Sequence, residues 1–580
     1  MSMTKVLLTG NEAIARGAYE NGVAVATAYP GTPSTEILEN IANHKEIHAQ
    51  WSPNEKVALE VAIGASISGA RALCAMKHVG VNVAADPLFT FTYTGVNGGL
   101  VLVSADDPGM HSSQNEQDNR NYARFAKMGL LEPTNSQEAK DMVGYALNIS
   151  EQFDMPVMLR TTTRVSHSKT LVELAEPKAR TLKPYTKDAR KYVAVPANAK
   201  GRTVFVVEER LQKMAEFSET TELNRIEWAD KKIGIVTSGI VYEYVKEALP
   251  NASILKLGYT NPLPLKKIAS FAAEVEQLWI VEELDPFMED QIRAVGIPIY
   301  GGKAELGRIG EYTPSLLRKA ILGIDSTAKA PAATPIRPPV LCPGCPHRGA
   351  YYALKKNKKL VTGDIGCYTL GAMPPLQSLD TTICMGASIP VALGMEKARP
   401  DQAENLVAVI GDSTFLHSGI TGLINTVYNK GTSTIMILDN RITAMTGHQH
   451  HAATGKTLQG EDTSQVDFEA LCRAVGVKRV RVVDPGDLAA LDQAIKEETA
   501  VREPSVIIAR RPCALIVKHT EPRLQVNHDA CVGCRMCMGI GCPAISFTDK
   551  KSTIDPSLCV GCGLCQQVCK FGAIVPEEVQ

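Results

Sequence analysis

The C-terminal tail carries the pattern that most restricts this chain: Cys531-x2-Cys534-x2-Cys537-x4-Cys542-Pro543, followed by Cys559-x2-Cys562-x2-Cys565-x3-Cys569. Two C-x2-C-x2-C runs, each trailed by a fourth cysteine, suit two cubane iron–sulfur clusters in which the fourth cysteine of each run ligates the other cluster. Zinc knuckles pair two C-x2-C units and have no use for the third cysteine. The spacing therefore assigns Cys531, Cys534, Cys537 and Cys569 to one [4Fe–4S] cluster, and Cys559, Cys562, Cys565 and Cys542 to the other. Two irregularities stand out. The residue added before Cys542 lengthens a loop, and Lys570 stands where a proline is usual.

The whole chain holds 15 cysteines. The N-terminal MSMTKVLLTGNEA enters a strand-like run directly and no apolar run reaches the length of a membrane span, so a cytoplasmic protein is expected. In that compartment so many cysteines argue for metal ligation or redox work over disulfides. A net charge of −1 marks neither a nucleic-acid binder nor a membrane-surface binder. With 580 residues the chain is too long for one core and divides into several domains.

The opening, Val6 to Ala13, reads as a strand entering a helix, and Val23 to Ala28 leads into Tyr29-Pro30-Gly31-Thr32-Pro33-Ser34. The two prolines stiffen this turn and hold helix formation back until Ser34, the expected N-cap. Such a loop offers the Thr32 hydroxyl and backbone N–H groups to an anionic substrate, or is simply a capped turn. Glu55 opens the small-residue helix Val57 to Gly69, where a dipole-complementing surface carboxylate would also stand. After the strand-like run Leu100 to Ala105 comes a dense polar stretch ending in Arg120, a solvated loop or an active-site loop in which Arg120 could grip a carboxylate. Pro156 to Thr163 closes a first α/β domain, with a connection through Lys200. A second, compact α/β domain is expected over 230–327 (strands in Lys232 to Gly239, Ser253 to Leu257 and Leu278 to Glu283). A stiff linker, Ala328 to Pro339, follows.

The third domain, 340–518, opens on Cys342-Pro-Gly-Cys345-Pro-His347, and a lone C-x-x-C reads as zinc, a redox pair or packing. Further on, the apolar run Leu406 to Ile410 ends at Gly411-Asp412, a helix follows, and Thr434 to Leu438 ends at Asp439-Asn440. This β-α-β unit delivers Asp412 and Asn440 to the carboxyl ends of two strands, where open α/β sheets bind ligands. The Asp412 carboxylate, the Asn440 amide oxygen and the Ile442 carbonyl form an oxygen set that a Mg²⁺–diphosphate would use. Taken alone, Gly411-Asp412 is equally an ordinary turn after a buried strand.

These stretches together resemble the 2-oxoacid:ferredoxin oxidoreductases. The likeness rests on YPGTPST, NEKVALEVAIGAS, DDPGMHSSQNEQDNR, CPGCPHR, GDIGCYTLG, GDSTFLHSG and ILDNRITAMTGHQ, together with the ferredoxin-like tail over 521–580. GDS followed by Asn440 resembles the thiamine diphosphate (TPP) signature, with Ser413 where glycine is usual. The implied fold class is multidomain α/β: a pyrimidine-binding TPP domain (1–200, with its connecting segment), a transketolase C-terminal-like domain, a diphosphate-binding TPP domain and a small 2[4Fe–4S] domain. The resemblance places Glu55 on the aminopyrimidine and Thr32 near the substrate carboxylate, and Arg120, as a carboxylate-gripping side chain, is a second substrate-binding candidate. It sets Gly386, Gly411, Asp412, Ser413 and Asn440 at the cofactor, with Mg²⁺ on Asp412, Asn440 and the Ile442 carbonyl. It also implies a third, proximal [4Fe–4S] cluster on Cys342, Cys345, Cys367 and Cys513. Cys74, Cys384 and Cys472 are left over and are expected to be buried packing residues. Of the histidines in TGHQHH, His448 is the first candidate for acid/base work, ahead of His450 and His451.

The implied reaction is oxidative decarboxylation of an aryl 2-oxoacid of the indolepyruvate class, or of pyruvate or 2-oxoglutarate. The acyl group goes to coenzyme A and the electrons pass through the clusters to ferredoxin, with a smaller beta subunit as partner. A purely electron-transferring subunit and a non-oxidative TPP decarboxylase are the rivals from other classes.

Overall fold

The computed structural model describes residues 4–325 and 338–577. All but the last two residues of the expected linker Ala328 to Pro339 lie outside the described residues. The chain forms two compact units, divided between residues 331 and 332.

The first unit is built on a seven-stranded sheet. Its strands run in the order Tyr259–Asn261, Gly129–Leu131, Val157–Thr162, Leu100–Asp106, Ala72–Lys77, Val25–Ala28 and His48–Trp51. All but the first are parallel. The central strands Leu100–Asp106 and Val157–Thr162 are buried along their whole length, as a parallel sheet covered on both faces requires. Thr9 caps the helix Gly10–Glu20 in a reciprocal capping box with Glu12. The expected connection, His167 to Lys200, also contributes a strand: Lys169–Glu173 pairs antiparallel with Lys5–Thr9. Helical residues Pro196–Val204, Phe205–Arg210 and Leu211–Thr220 follow it without a break.

A second sheet in this unit orders Gln277–Val281, Asp230–Ser238, Ala252–Leu257 and Asn224–Glu227, the last antiparallel. It begins before residue 230, and the chain leaving it sends Tyr259–Asn261 back to edge the first sheet.

In the second unit, six parallel strands run in the order Thr381–Thr382, Leu360–Gly363, Leu406–Gly411, Thr434–Asp439, Ser505–Arg510 and Arg479–Val483. The three central ones are almost wholly buried apolar runs. The tail adds two small antiparallel pairs, Leu524–Val526 with Ile574–Pro576 and Ile545–Thr548 with Lys551–Ile554. Its core is the apolar cluster of Leu524, Ile540, Ile545, Leu564, Val568 and Ile574, with cysteines of both runs packed into it. Among the described residues no helix is long and apolar enough to cross a membrane.

Candidate functional site

In the first unit, Glu55 is the first residue of the helix Glu55–Ile67, capped by the Asn54 side chain. It is 5% exposed. Gly80 approaches it so closely that a Cβ there would lie 2.7 Å from Glu55 Cγ, so this carboxylate is enclosed and not on the surface. The Tyr29-to-Ser34 loop is tied down by Asn11, whose Nδ2 donates to the Pro33 carbonyl (2.7 Å) and to Glu36 Oε2 (2.9 Å). Ser34 stands at the N-cap of Thr35–Ile41, but its hydroxyl donates to the Gly31 carbonyl and accepts no helix N–H. Thr32 is half-buried. Gly31 leaves room for Lys77, to whose Cβ a Gly31 Cβ would come within 3.0 Å. Burial pushes the Lys77 ammonium down to about 8 against the pull of Asp107. Lys77 ends a central strand beside the Thr32 loop, and no sequence motif marked it.

Arg120 does something different from what its sequence suggests. It is 1% exposed, and its guanidinium pairs with Asp118 (2.6 Å) and Glu282 (2.7 Å). It also donates to the carbonyls of Glu283 and Asp285. With its donors engaged in the interior, Arg120 ties the first sheet's loop to the second sheet.

In the second unit, Asp412 and Asn440 follow the ends of adjacent parallel strands, with Gly411 in register with Leu438. Asp412 Oδ1 accepts from the Ser413 N–H and Oδ2 from the Arg441 N–H, each at 2.8 Å. The Asn440 side-chain oxygen accepts from the Ile442 N–H at 3.3 Å. Ser413 fits where glycine is usual because its hydroxyl accepts from Thr443 (2.9 Å). The helical run that begins at Asp412 passes through a π-turn, Phe415–Gly419, which carries Ser418 against Gly386. A Cβ on Gly386, at φ +88°, would sit 2.5 Å from Ser418 Cβ, so that position needs glycine.

Asp364 stands in GDIGCYTLG, just past the strand Leu360–Gly363. It accepts from the N–H groups of Ile365, Gly386 and Ser388, and burial pushes its carboxyl up to about 6 against those bonds. His347 lies 3.4 Å from the Asn440 amide through Nε2. Burial pushes it down to about 4 although Asp412 opposes this, so His347 is neutral at pH 7. His451 comes within 3.3 Å of Asp412 Oδ2. His448, preferred on sequence, sits at φ +69° with Nε2 4.0 Å from Cys513 Sγ. It lines a cavity of about 580 Å³ with Arg441, Ile442, His450, Thr454 and Ile516.

Cys342 and Cys367 each lie within electrostatic range of both Cys345 and Cys513. Burial pushes Cys345 up to about 12, and Cys367 and Cys342 add to that. Burial also pushes Cys367 up to about 11, with Cys513 and Cys342 adding. Cys513 is raised by burial, by Cys342 and by Asp412. In the tail, Cys531, Cys534, Cys537 and Cys569 line one cavity. Burial and the neighbouring Cys562, Cys542 and Cys559 push Cys565 up to about 12. Thiols raised in this way are the groups that a metal core would have to deprotonate on binding. Among the described residues no group of three or more His, Cys, Asp or Glu is arranged to hold a single metal ion. Cys74 and Cys472 are buried, but Cys384 is exposed. It lies between Thr381–Thr382 and the helix Ser388–Ala398.

The donor chemistry suits the implied groups. An anionic carboxylate and two neutral oxygens, from Asp412, Asn440 and Ile442, form a hard set fit for Mg²⁺, and the opening N–H groups of a helix suit a diphosphate. Two sets of neighbouring thiols and a four-cysteine cavity suit iron–sulfur cores.

Comparison with known proteins bears on the whole chain. Residues 16–233 match the thiamine diphosphate-binding domain of pyruvate flavodoxin/ferredoxin oxidoreductases, residues 364–509 the C-terminal TPP-binding domain of thiamine pyrophosphate enzymes, and residues 552–575 the 4Fe–4S binding domain. The chain is 41% identical to indolepyruvate oxidoreductase subunit IorA of Archaeoglobus fulgidus, over 99% of this chain and 97% of that one. It is 42% identical to the subunit of that name in Pyrococcus horikoshii, over 98% and 96%. A solved 2-oxoglutarate:ferredoxin oxidoreductase from Magnetococcus marinus matches at 16% identity and a TM-score of 0.48, over 55% of this chain and 65% of that one.

Proposed function

We infer the reaction from the premise that this chain belongs to the indolepyruvate oxidoreductase subunit IorA family, among the TPP-dependent 2-oxoacid:ferredoxin oxidoreductases with an iron–sulfur domain. The substrate is an aryl 2-oxoacid of the indolepyruvate class, decarboxylated oxidatively to CO₂ and an acyl-CoA. The electrons leave through the cysteine-bound clusters to ferredoxin, and a smaller second subunit completes the enzyme. The observation that supports this reading is the chain of neighbouring thiols, Cys345 beside Cys342 and Cys367, and Cys367 beside Cys513, with Cys513 in turn beside Asp412, which we read as an electron acceptor beside the cofactor clamp.

Bound TPP supplies the electron sink for loss of CO₂, and the clusters take up electrons singly. The chain does the rest. Asp412, Asn440 and the Ile442 carbonyl hold Mg²⁺. Asp412 itself is aimed by the Ser413 and Arg441 N–H groups. Glu55, enclosed by Gly80, holds the aminopyrimidine. Thr32 orients the substrate carboxylate on a loop that Asn11 keeps rigid. His347 stays neutral at its ring nitrogens and supports the Asn440 amide. His451, at 3.3 Å from Asp412, steadies that carboxylate, while His448 faces Cys513 and the cavity.

The test is anaerobic, coenzyme A-dependent viologen reduction by the enzyme with its partner subunit over a panel of 2-oxoacids, with Asp412→Asn beside the wild type. Turnover with indolepyruvate and phenylpyruvate is expected, and its loss in Asp412→Asn. Turnover with pyruvate or 2-oxoglutarate alone would move the substrate assignment, and aldehyde release without coenzyme A or acceptor would make the chain a plain decarboxylase.

A further inference from the structure

Arg348 is one of the largest fully buried side chains, 2% exposed. It has no ion pair: among the described residues no carboxylate lies within salt-bridge distance. Its donors go to four backbone carbonyls instead. Nη2 donates to Leu341 (2.6 Å) and Cys342 (3.0 Å), and Nη1 to Ile540 (3.1 Å) and Gly541. Nε has no partner. A buried guanidinium left with neutral acceptors alone is costly, because water has been removed and no negative charge replaces it.

The four carbonyls belong to two loops far apart in sequence. Leu341 and Cys342 open the C-x-x-C of the proximal set, and Ile540 and Gly541 lead directly into Cys542 of the tail. Burial pushes the Cys345 and Cys542 thiols up, and Arg348 opposes that at both. The loops also touch elsewhere. A Cβ on Gly344, between Cys342 and Cys345, would collide with Val560, which lies between Cys559 and Cys562. One step along the helix from Arg348, Gly349 packs against the Pro485 carbonyl and Leu564. A net negative charge on each side of Arg348 would account for an otherwise uncompensated cation, and four thiolates around an iron–sulfur core carry such a charge, which grows on reduction.

We propose that Arg348 is the shared counter-charge of two clusters, the Cys342/Cys345/Cys367/Cys513 set and the Cys559/Cys562/Cys565/Cys542 set, and that it raises both reduction potentials so that they form the inner stretch of the electron path. This rests on the cluster assignment given under the proposed function. In the step concerned, one electron leaves the reduced proximal set and enters the neighbouring tail set. No bond breaks and no proton moves. Arg348 stabilises the more negative member of each couple and is a positioning residue. The remaining set, Cys531/Cys534/Cys537/Cys569, occupies a cavity lined by tail residues alone and serves as the internal control.

The experiment is a potentiometric EPR titration with dithionite of the anaerobically purified holoenzyme, with iron and sulfide counts, for the wild type, Arg348→Gln and Arg348→Lys. In a fully loaded Arg348→Gln, reduction of two sets becomes at least tenfold less favourable, about 59 mV for a one-electron couple, while the third set is unmoved. Unshifted midpoints in that variant overturn the proposal. If Arg348→Gln fails to load and Arg348→Lys loads with wild-type midpoints, assembly itself depends on the charge, as the proposal requires. If both fail to load, the hydrogen-bond fork is what matters and the counter-charge role is overturned. A wild type with about eight irons in place of about twelve would instead overturn the cluster assignment on which the proposal stands.

Discussion

Replacing Arg120 by methionine separates a structural from a substrate-binding role. Methionine fills a similar volume but leaves Asp118 and Glu282, both buried, without their shared cation. Burial pushes both carboxyls up, and Arg120 opposes it at each: Asp118 ends below the ordinary range and Glu282 above it. Breaking a buried pair in this way costs about 3–5 kcal/mol. The structure argues for the lower end, because Glu282 keeps the N–H groups of Met288 and Glu289 at 3.0 Å and Asp118 keeps Arg160 at 3.9 Å. A whole-chain melting curve would not isolate this, since so large a protein does not unfold in two states. Hydrogen exchange does. At about 1.4 kcal/mol per decade, amides of Arg120–Ala126 and Gln277–Val281 are expected to exchange roughly a hundredfold faster. The triple variant Asp118→Asn, Arg120→Met, Glu282→Gln should recover much of the loss, because no unpaired charge then remains. A raised KM for the 2-oxoacid with unchanged exchange would refute this reasoning and return Arg120 to the substrate.

Three further outcomes follow from particular contacts. In Asn11→Ala the Thr32 loop loses two hydrogen bonds, one of them to a carboxylate, worth about 1–3 kcal/mol together. KM for the 2-oxoacid is expected to rise by up to about tenfold with TPP affinity unchanged, and a KM equal to wild type would count against the loop's role. Gly349→Ala drives a methyl group into the Pro485 carbonyl, costing about 1–3 kcal/mol of packing, so limited proteolysis should release the tail faster than from the wild type. Asp364 gives a pH dependence. Its carboxyl is raised from 3.8 to about 6 in the folded chain, so its contribution to stability is full below about 3.8 and is lost as pH rises through about 6, by about 3 kcal/mol. Exchange of the Gly386 and Ser388 amides, corrected for intrinsic rates, should speed up across that window in the wild type and lose this slope in Asp364→Asn.

Much of this architecture is legible in the sequence where local pattern and chemistry coincide. Apolar runs ending in Gly411-Asp412 and Asp439-Asn440 mark two strand ends, and those strands are parallel neighbours. Local pattern says least where a distant element supplies the partner. The polar run ending in Arg120 looks like an open loop until Glu282, 162 residues away, closes over it. Cys384 has apolar neighbours in sequence but falls between elements, and so it is exposed. The choice between His448 and His451 turns on a local reversal, with Gly447 and His448 both at positive φ, that carries His448 to Cys513 and leaves His451 at Asp412.

The gathering of the proximal cysteines looks least accessible to sequence reasoning, since Cys345 and Cys513 are far apart in the chain, yet parallel topology makes it derivable. Asp364 and Cys367 follow the strand Leu360–Gly363, Asp412 follows Leu406–Gly411, Asn440 follows Thr434–Asp439 and Cys513 follows Ser505–Arg510. These four strands are consecutive neighbours in one parallel sheet, so every residue just past a strand end reaches the same edge. The helix His347–Lys356 precedes the first of these strands and must run back along the sheet to enter it, which leaves its N-terminus, with Cys342 and Cys345 just before it, at that edge too. Once the strands are assigned and taken as parallel, the meeting of Asp412, Asn440 and four cysteines at one edge follows from connectivity alone. What connectivity cannot supply is the buried charge set beside these cysteines. Arg348, joined to the second set of cysteines through Ile540 and Gly541, becomes visible only when the tail is seen folded against this edge.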